Sequence, residues 1–164
     1  MTETPRLKAR LITPEAFAPF GDVIQTTGHD HVLINDGMCK RFTDLAQFDI
    51  VDGKVGLSLF QSQLRNLPYS CTLLERHPFG SQCFVPMSEG RYLIIVAPDD
   101  GGKPGQAAAF IATHHAVNIA RNTWHGVLCP LEGSGLFAVL DRIGKGGNLE
   151  EHYLKHALVI DGAV

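Results

Sequence analysis

Glu75-Arg76-His77 places a carboxylate and an imidazole two residues apart. On an extended chain, residues i and i+2 project to the same face. Such a pair can hold a divalent metal, or can pass a proton between carboxyl and ring. Pro78-Phe79-Gly80-Ser81 then reads as a turn, and Gln82 opens the next strand, bringing a third polar group from a neighbouring strand. His125 starts a later apolar stretch beside Trp124, the only tryptophan, and supplies a second imidazole. A Glu-x-His pair on an edge is ordinarily just solvated, and a His beside an aromatic ring is ordinarily core. Taken together, the two stretches describe a metal or acid-base cluster.

The elements that must position these groups are mostly strands. Thr13, Pro14 and Gly21 mark the cap, first position and end of one short helix near residues 14 to 19. Asp44-Leu45-Ala46 has room for one helical turn. Val55 to Phe60, Ser70 to Leu74, Arg91 to Ala97, Ala107 to Ala112, Val117 to Ile119, Gly126 to Cys129 and Gly135 to Asp141 are short apolar runs bounded by turn residues. Arg91 to Ala97 is apolar without alternation and reads as a strand buried on both faces. The tail beyond Gly144-Lys-Gly-Gly147 is expected to pack back as one more strand. Many short strands separated by turns predict an all-β sandwich or barrel.

The 164 residues, 45% of them hydrophobic, suffice for one domain with a real core. Fourteen basic and 17 acidic residues leave a net charge of -3, which excludes an electrostatic case for nucleic acid or an anionic membrane surface. No run approaches the ~20 apolar residues that cross a bilayer, and Met1 to Arg10 lacks the pattern of a signal peptide. Cysteines at 39, 71, 83 and 129 form no CxxC pair and read as free thiols of a reducing cytoplasm. A small-molecule substrate is the expected partner. Lys145 lies among glycines, but the phosphate-loop pattern is absent. His29-x-His31 and His114-His115 sit among turn residues and read as surface histidines.

Barrels of the cupin type carry a His-x-His followed by a ligand on the next strand, and a later Gly-rich turn leading to another His. Glu75-x-His77, Gln82 and Gly90 copy the first spacing with two substitutions, and His125 stands where the second motif has its histidine. The expected ligand set is His77, His125, Glu75 and Gln82, with the neutral Gln82 amide as its weak member.

The runs LERHPFGSQCFVPM (74 to 87) and RNTWHGVL (121 to 128) resemble those of the ureidoglycolate lyase family. Similar segments run in order from residue 13 to about 147: Phe20 to Ile24, Ile34 to Gly37, Arg41 to Ala46 and Asp141-Arg142. The resemblance implies a cupin-like jelly-roll barrel with a short N-terminal helix, one catalytic domain over residues 1 to 164, and usually a homodimer. It implies a carbon–nitrogen lyase of the amidine-lyase type, splitting (S)-ureidoglycolate into glyoxylate and urea during allantoin degradation. It also implies a divalent metal, Ni2+ being the ion usually named.

That substrate carries a hydroxyl, a carboxylate and a urea nitrogen on one carbon. Cleavage needs a base for the hydroxyl proton and an acid for the departing nitrogen. His77, His125 and Glu75 are the catalytic candidates. An arginine suits the carboxylate. Arg76 has the opposite parity to Glu75 and His77, which leaves Arg121, of the same parity as His125, and then Arg41. Two other readings are a non-enzymatic cupin-like binding domain, in which the histidines only position a ligand, and an iron dioxygenase. The Glu and Gln substitutions argue against the latter.

Overall fold

The computed structural model describes residues 4–162. Two β-sheets face each other and the elements are nearly all strands, as expected. The larger sheet runs Arg6–Lys8, Glu150–Asp161, Tyr69–Arg76, Trp124–His125, Tyr92–Ala97, Ala108–Ala112 and Arg10–Leu11, with Cys129–Pro130 also on Tyr92–Ala97. The N-terminal segment thus pairs at both ends of one sheet. Arg6–Lys8 lies parallel to Val159–Asp161, and Arg10–Leu11 lies parallel to Phe110–Ile111. Only Ala9 separates the two, and its N–H donates to the Asp161 carbonyl at 2.9 Å. One short segment therefore ties both edges of the sheet into a nearly closed barrel. The second sheet runs Gly21–Ile24, Ala116–Ile119, Gln82–Pro86, Leu136–Ile143 and Lys54–Gln61, all antiparallel.

Tyr92–Ala97 is buried at every position, and its alternation divides the core. Tyr92, Ile94 and Val96 pack with Phe84, Val117 and Val139 of the opposite sheet. Leu93, Ile95 and Ala97 face the other way, against Ala109, Ile111, Trp124 and Ile160. Burying both faces is why this run is continuously apolar.

The expected helix is one turn, Pro14–Phe17, with the Thr13 hydroxyl accepting the Ala16 N–H at 3.2 Å. Gly21 is required after it, because a Cβ there would fall 1.9 Å from the Asn118 carbonyl oxygen. Asp44 to Ala46 is not a helical turn: Asp44 sits at φ 57°, which a right-handed turn does not allow. Val32–Ile34 and Cys39–Arg41 form an unforeseen hairpin through Asn35-Asp36-Gly37, all at positive φ. The tail is the expected strand, Glu150–Asp161.

Gly126 to Cys129 is not one strand. His125 stands opposite Val96 and Cys129 opposite Leu93. Three residues, Gly126 to Leu128, therefore span the two residues Ile94 and Ile95. The extra residue is a bulge directly after His125, and such bulges re-aim the side chains around them.

Candidate active site

The larger sheet sets Glu75 directly opposite His125 on adjacent antiparallel strands. His125 also pairs with Val96, whose side chain points into the space between the sheets. Glu75 and His125 share that inner face, and His77, two residues beyond Glu75, joins them. The imidazole centroids of His77 and His125 are 5.1 Å apart. One potential ligand atom each from Glu75, His77 and His125 lie within 4.8 Å of one another. Trp124 does not pack beside His125 on the inner face. Neighbours on a strand alternate, so it points to the reverse side and donates from Nε1 to the Asp99 carboxylate at 2.9 Å.

Both rings have a fixed tautomer. His77 Nδ1 lies 2.6 Å from the Asn148 carbonyl oxygen, and His125 Nδ1 lies 3.0 Å from that of Gly126. A carbonyl only accepts, so each Nδ1 carries the hydrogen, and in the neutral ring Nε2 keeps its lone pair. Both Nε2 atoms are buried without a hydrogen-bond partner. Gln82, 5% exposed, adds a third such atom. Its amide nitrogen donates to the Asp141 carboxylate at 3.1 Å, which turns Oε1 the other way, buried and unpartnered. Orphaned buried acceptors are costly unless something satisfies them.

Burial and the nearby His77 depress His125 to about 4, with the Gly126 carbonyl opposing. It is therefore a neutral imidazole at neutral pH, suited to donate a lone pair and unsuited to store a proton. Burial raises the Glu75 carboxyl; His77 opposes that shift and Glu151 adds to it. Two imidazoles with bare Nε2 atoms and a carboxylate fit a borderline divalent ion. An ion bonded at ~2.1 Å spans ligand atoms up to ~4.2 Å apart, so the cluster needs less than ~1 Å of movement to close. Backbone carbonyls on both Nδ1–H groups are the usual outer support of metal-bound histidines.

A sequence profile of the ureidoglycolate lyase family matches residues 4–161. The ureidoglycolate lyase of Rhodobacter capsulatus is 48% identical over 159 residues, covering 96% of this chain and 99% of that protein. That of Mesorhizobium japonicum is 44% identical, covering 94% and 97%. Ureidoglycolate lyase 2 of Rhizobium meliloti is 40% identical, covering 96% and 98%. The chain belongs to the ureidoglycolate lyase family.

In this member, Glu75 and Gln82 line a cavity of about 440 Å³ with Phe60, Arg65, Val127 and Leu128. Val127 and Leu128 are the residues that the bulge turns into it. Gln82 does not come from the neighbouring strand, as its spacing suggested. It lies in the second sheet, between Ala116–Ile119 and Leu136–Ile143, and reaches the cavity from across the barrel.

Arg121 and Arg41 are not among the cavity's lining residues. Arg121 Nε donates to Asp49 at 2.7 Å, and its NH1 donates to the Pro78 carbonyl. The shared parity with His125 is broken by a turn at Arg121-Asn122, where Asn122 adopts φ 66°. Arg41 is exposed on the small hairpin.

Asn148 carries a role that local sequence could not reveal. Its carbonyl holds His77, and its side-chain oxygen accepts the Phe79 N–H at 2.7 Å. His29 and His31 are exposed, as expected. His115 is half-buried and stacked on His114 at 4.4 Å, beside a separate cavity with Gln25 and Thr26.

Proposed function

We propose that this chain cleaves (S)-ureidoglycolate to glyoxylate and urea in allantoin degradation, with Glu75, His77 and His125 at the reaction centre. The observation that carries this reading is the convergence of two tautomer-locked imidazoles on a half-buried carboxylate that lines a cavity of small-molecule size. Family membership supplies the substrate. The two-sheet barrel is read as cupin-like, with residues 1 to 164 acting as one catalytic domain in the cytoplasm. No helix among the described residues is long and apolar enough to cross a membrane. A homodimer is part of the proposal. Its support is Leu57 and Leu59, 68% and 62% exposed on Lys54–Gln61 at the end of the second sheet.

The cleavage converts the carbinol C–O bond to C=O and breaks the C–N bond. The hydroxyl proton must leave as the urea nitrogen gains one. Glu75 suits the transfer, because burial raises its carboxyl toward the range where a proton is both taken and returned. Its carboxylate accepts the hydroxyl proton, and the resulting acid protonates the departing urea nitrogen. His125 stays neutral and, with His77, directs a bare Nε2 at the same point. A divalent metal such as Ni2+, held by His77, His125, Glu75 and Gln82, would lower the pKa of the hydroxyl and orient the substrate. Phe60, Phe84, Val127 and Leu128 limit water around the reacting carbon.

The test is product analysis. Purified protein given ureidoglycolate should release urea and glyoxylate in equal amounts and no ammonia. Ammonia and carbon dioxide in place of urea would identify amidohydrolase chemistry, and no turnover at all would favour a ligand-binding role.

A further inference from the structure

The cavity beside Glu75 has one cationic side chain in its wall. That residue is Arg65, and it is free to act. Among the described residues, Arg6, Arg76, Arg91, Arg121 and Arg142 each face a carboxylate. Arg10 lies over the Phe110 ring, and Arg41 is exposed on the small hairpin. The guanidinium of Arg65 makes no ion pair or side-chain hydrogen bond within the described chain.

Its backbone, in contrast, is fixed. Arg65 N–H donates to the Pro130 carbonyl at 2.8 Å, and Ser62 N–H donates to that of Gly135 at 2.9 Å. Gln61 Nε2 donates to Ser134 at 2.7 Å, and the Ser62 hydroxyl donates to the Leu128 carbonyl at 3.3 Å. The approach of Gly135 to Ser62 admits no side chain: a Cβ would lie 2.0 Å from the Ser62 oxygen. A loop held by four hydrogen bonds thus places Arg65, exposed and unpaired, among the residues that line the cavity.

Glu75 lines the same cavity, and Asp141 stands behind Gln82. No ion pair joins Arg65 to either carboxylate, so the cavity keeps its positive and negative groups apart. A substrate whose hydroxyl-bearing carbon also carries a carboxylate fits that polarity in one direction only. We infer that Arg65 is the clamp for the substrate carboxylate, holding it at the rim while the adjoining carbon sits against Glu75, His77 and His125. The guanidinium fork matches a carboxylate in two parallel hydrogen bonds, and no other lining residue offers that geometry. The inference rests on the proposed reaction and names the group that selects a 2-hydroxy acid over a neutral carbinolamide.

The experiment pairs binding with turnover. Glyoxylate binding is measured by titration calorimetry for the wild type, Arg65→Ala, Arg65→Lys and Arg121→Ala. In parallel, kcat and KM are measured for ureidoglycolate and for hydroxymethylurea, which lacks the carboxylate. Arg65→Ala should weaken glyoxylate at least tenfold and lower kcat/KM for ureidoglycolate by ~10 to 100-fold, the range for one charge-assisted pair. The loss should fall mainly on KM, recover in part in Arg65→Lys, and be less than threefold with hydroxymethylurea. Glyoxylate bound equally well by Arg65→Ala, or lost instead in Arg121→Ala, would overturn the clamp. Arg65-dependent glyoxylate binding without urea release would leave the clamp standing and sink the lyase reading. Urea release with unchanged glyoxylate affinity in Arg65→Ala would do the reverse.

Discussion

His77 and His125 face each other at 5.1 Å between ring centroids, each with Nδ1–H donated to a main-chain carbonyl and Nε2 left bare. For His125, 2% exposed, this arrangement makes protonation costly, and its folded value lies at about 4. An unfolded histidine titrates near 6.5. Between those values the unfolded chain binds a proton that the folded chain refuses, so stability rises with pH across the window. The metal-free protein should therefore lose on the order of 3 kcal/mol as pH falls from ~6.5 to ~4 through this group alone. Glu75, whose folded value is raised, works in the opposite sense as it takes up its proton. Urea unfolding of wild type and His125→Asn at pH 7 and pH 4.5 separates the two, because Glu75 is common to both. The wild type should lose more stability than the variant; equal losses would mean that His125 titrates as an ordinary histidine.

Three orphaned acceptors beside a carboxylate should also respond to an ion. Chelated protein given Ni2+ should unfold at a higher temperature, with ~2.7 kcal/mol gained at a hundredfold excess over the dissociation constant. Because Gln82 is a weak neutral ligand, the metal should be lost readily on purification. Activity should fall on chelation and return on adding the ion, and Glu75→Gln should diminish the thermal shift. Full activity after exhaustive chelation, with no metal by elemental analysis, would remove the metal from the account.

How far the site was legible follows from its geometry. Glu75 and His77 share a face by alternation, which two residues of spacing already encode. His125 joins them through a single cross-strand pair, and its placement came from family resemblance rather than from periodicity. Gln82 was read as a neighbour because it is near in sequence, whereas strand order carries it to the facing sheet. Arg121 was chosen by counting parity through Asn122, where the backbone turns. Arg65 and Asn148 were invisible for a further reason: their roles are set by pairing between segments 65 or more residues apart. The barrel itself was readable from strand-sized apolar runs and turn residues. Its near closure by Arg6–Leu11 was not, since neither short strand has an apolar signature.

Trp124 tests the alternation directly. Its ring is buried on the reverse face, with Arg76 4.7 Å above it and the Asp99 carboxylate accepting its Nε1–H. Trp124→Phe keeps an aromatic ring but leaves no donor for that carboxylate. Chemical denaturation should show a loss of stability, because a hydrogen bond to a charged group is removed. Turnover should stay within a few-fold, because the side chain points away from the cavity. A collapse of turnover at unchanged stability would place Trp124 in the site instead.

The central claim is that His77, His125 and Glu75 act as one unit on the substrate. The most direct measurement is urea release from ureidoglycolate by wild type, His77→Ala, His125→Ala and the double variant, with His29→Ala as the control on an exposed loop. Each single site variant should fold and lose ~10²-fold or more in kcat/KM, the low end for a positioned acid-base or ligand group. The double variant should lose little beyond the worse single, since groups that act as a unit fail together. His29→Ala should match the wild type. Singles that retain wild-type turnover, or a control that loses it, would contradict the account.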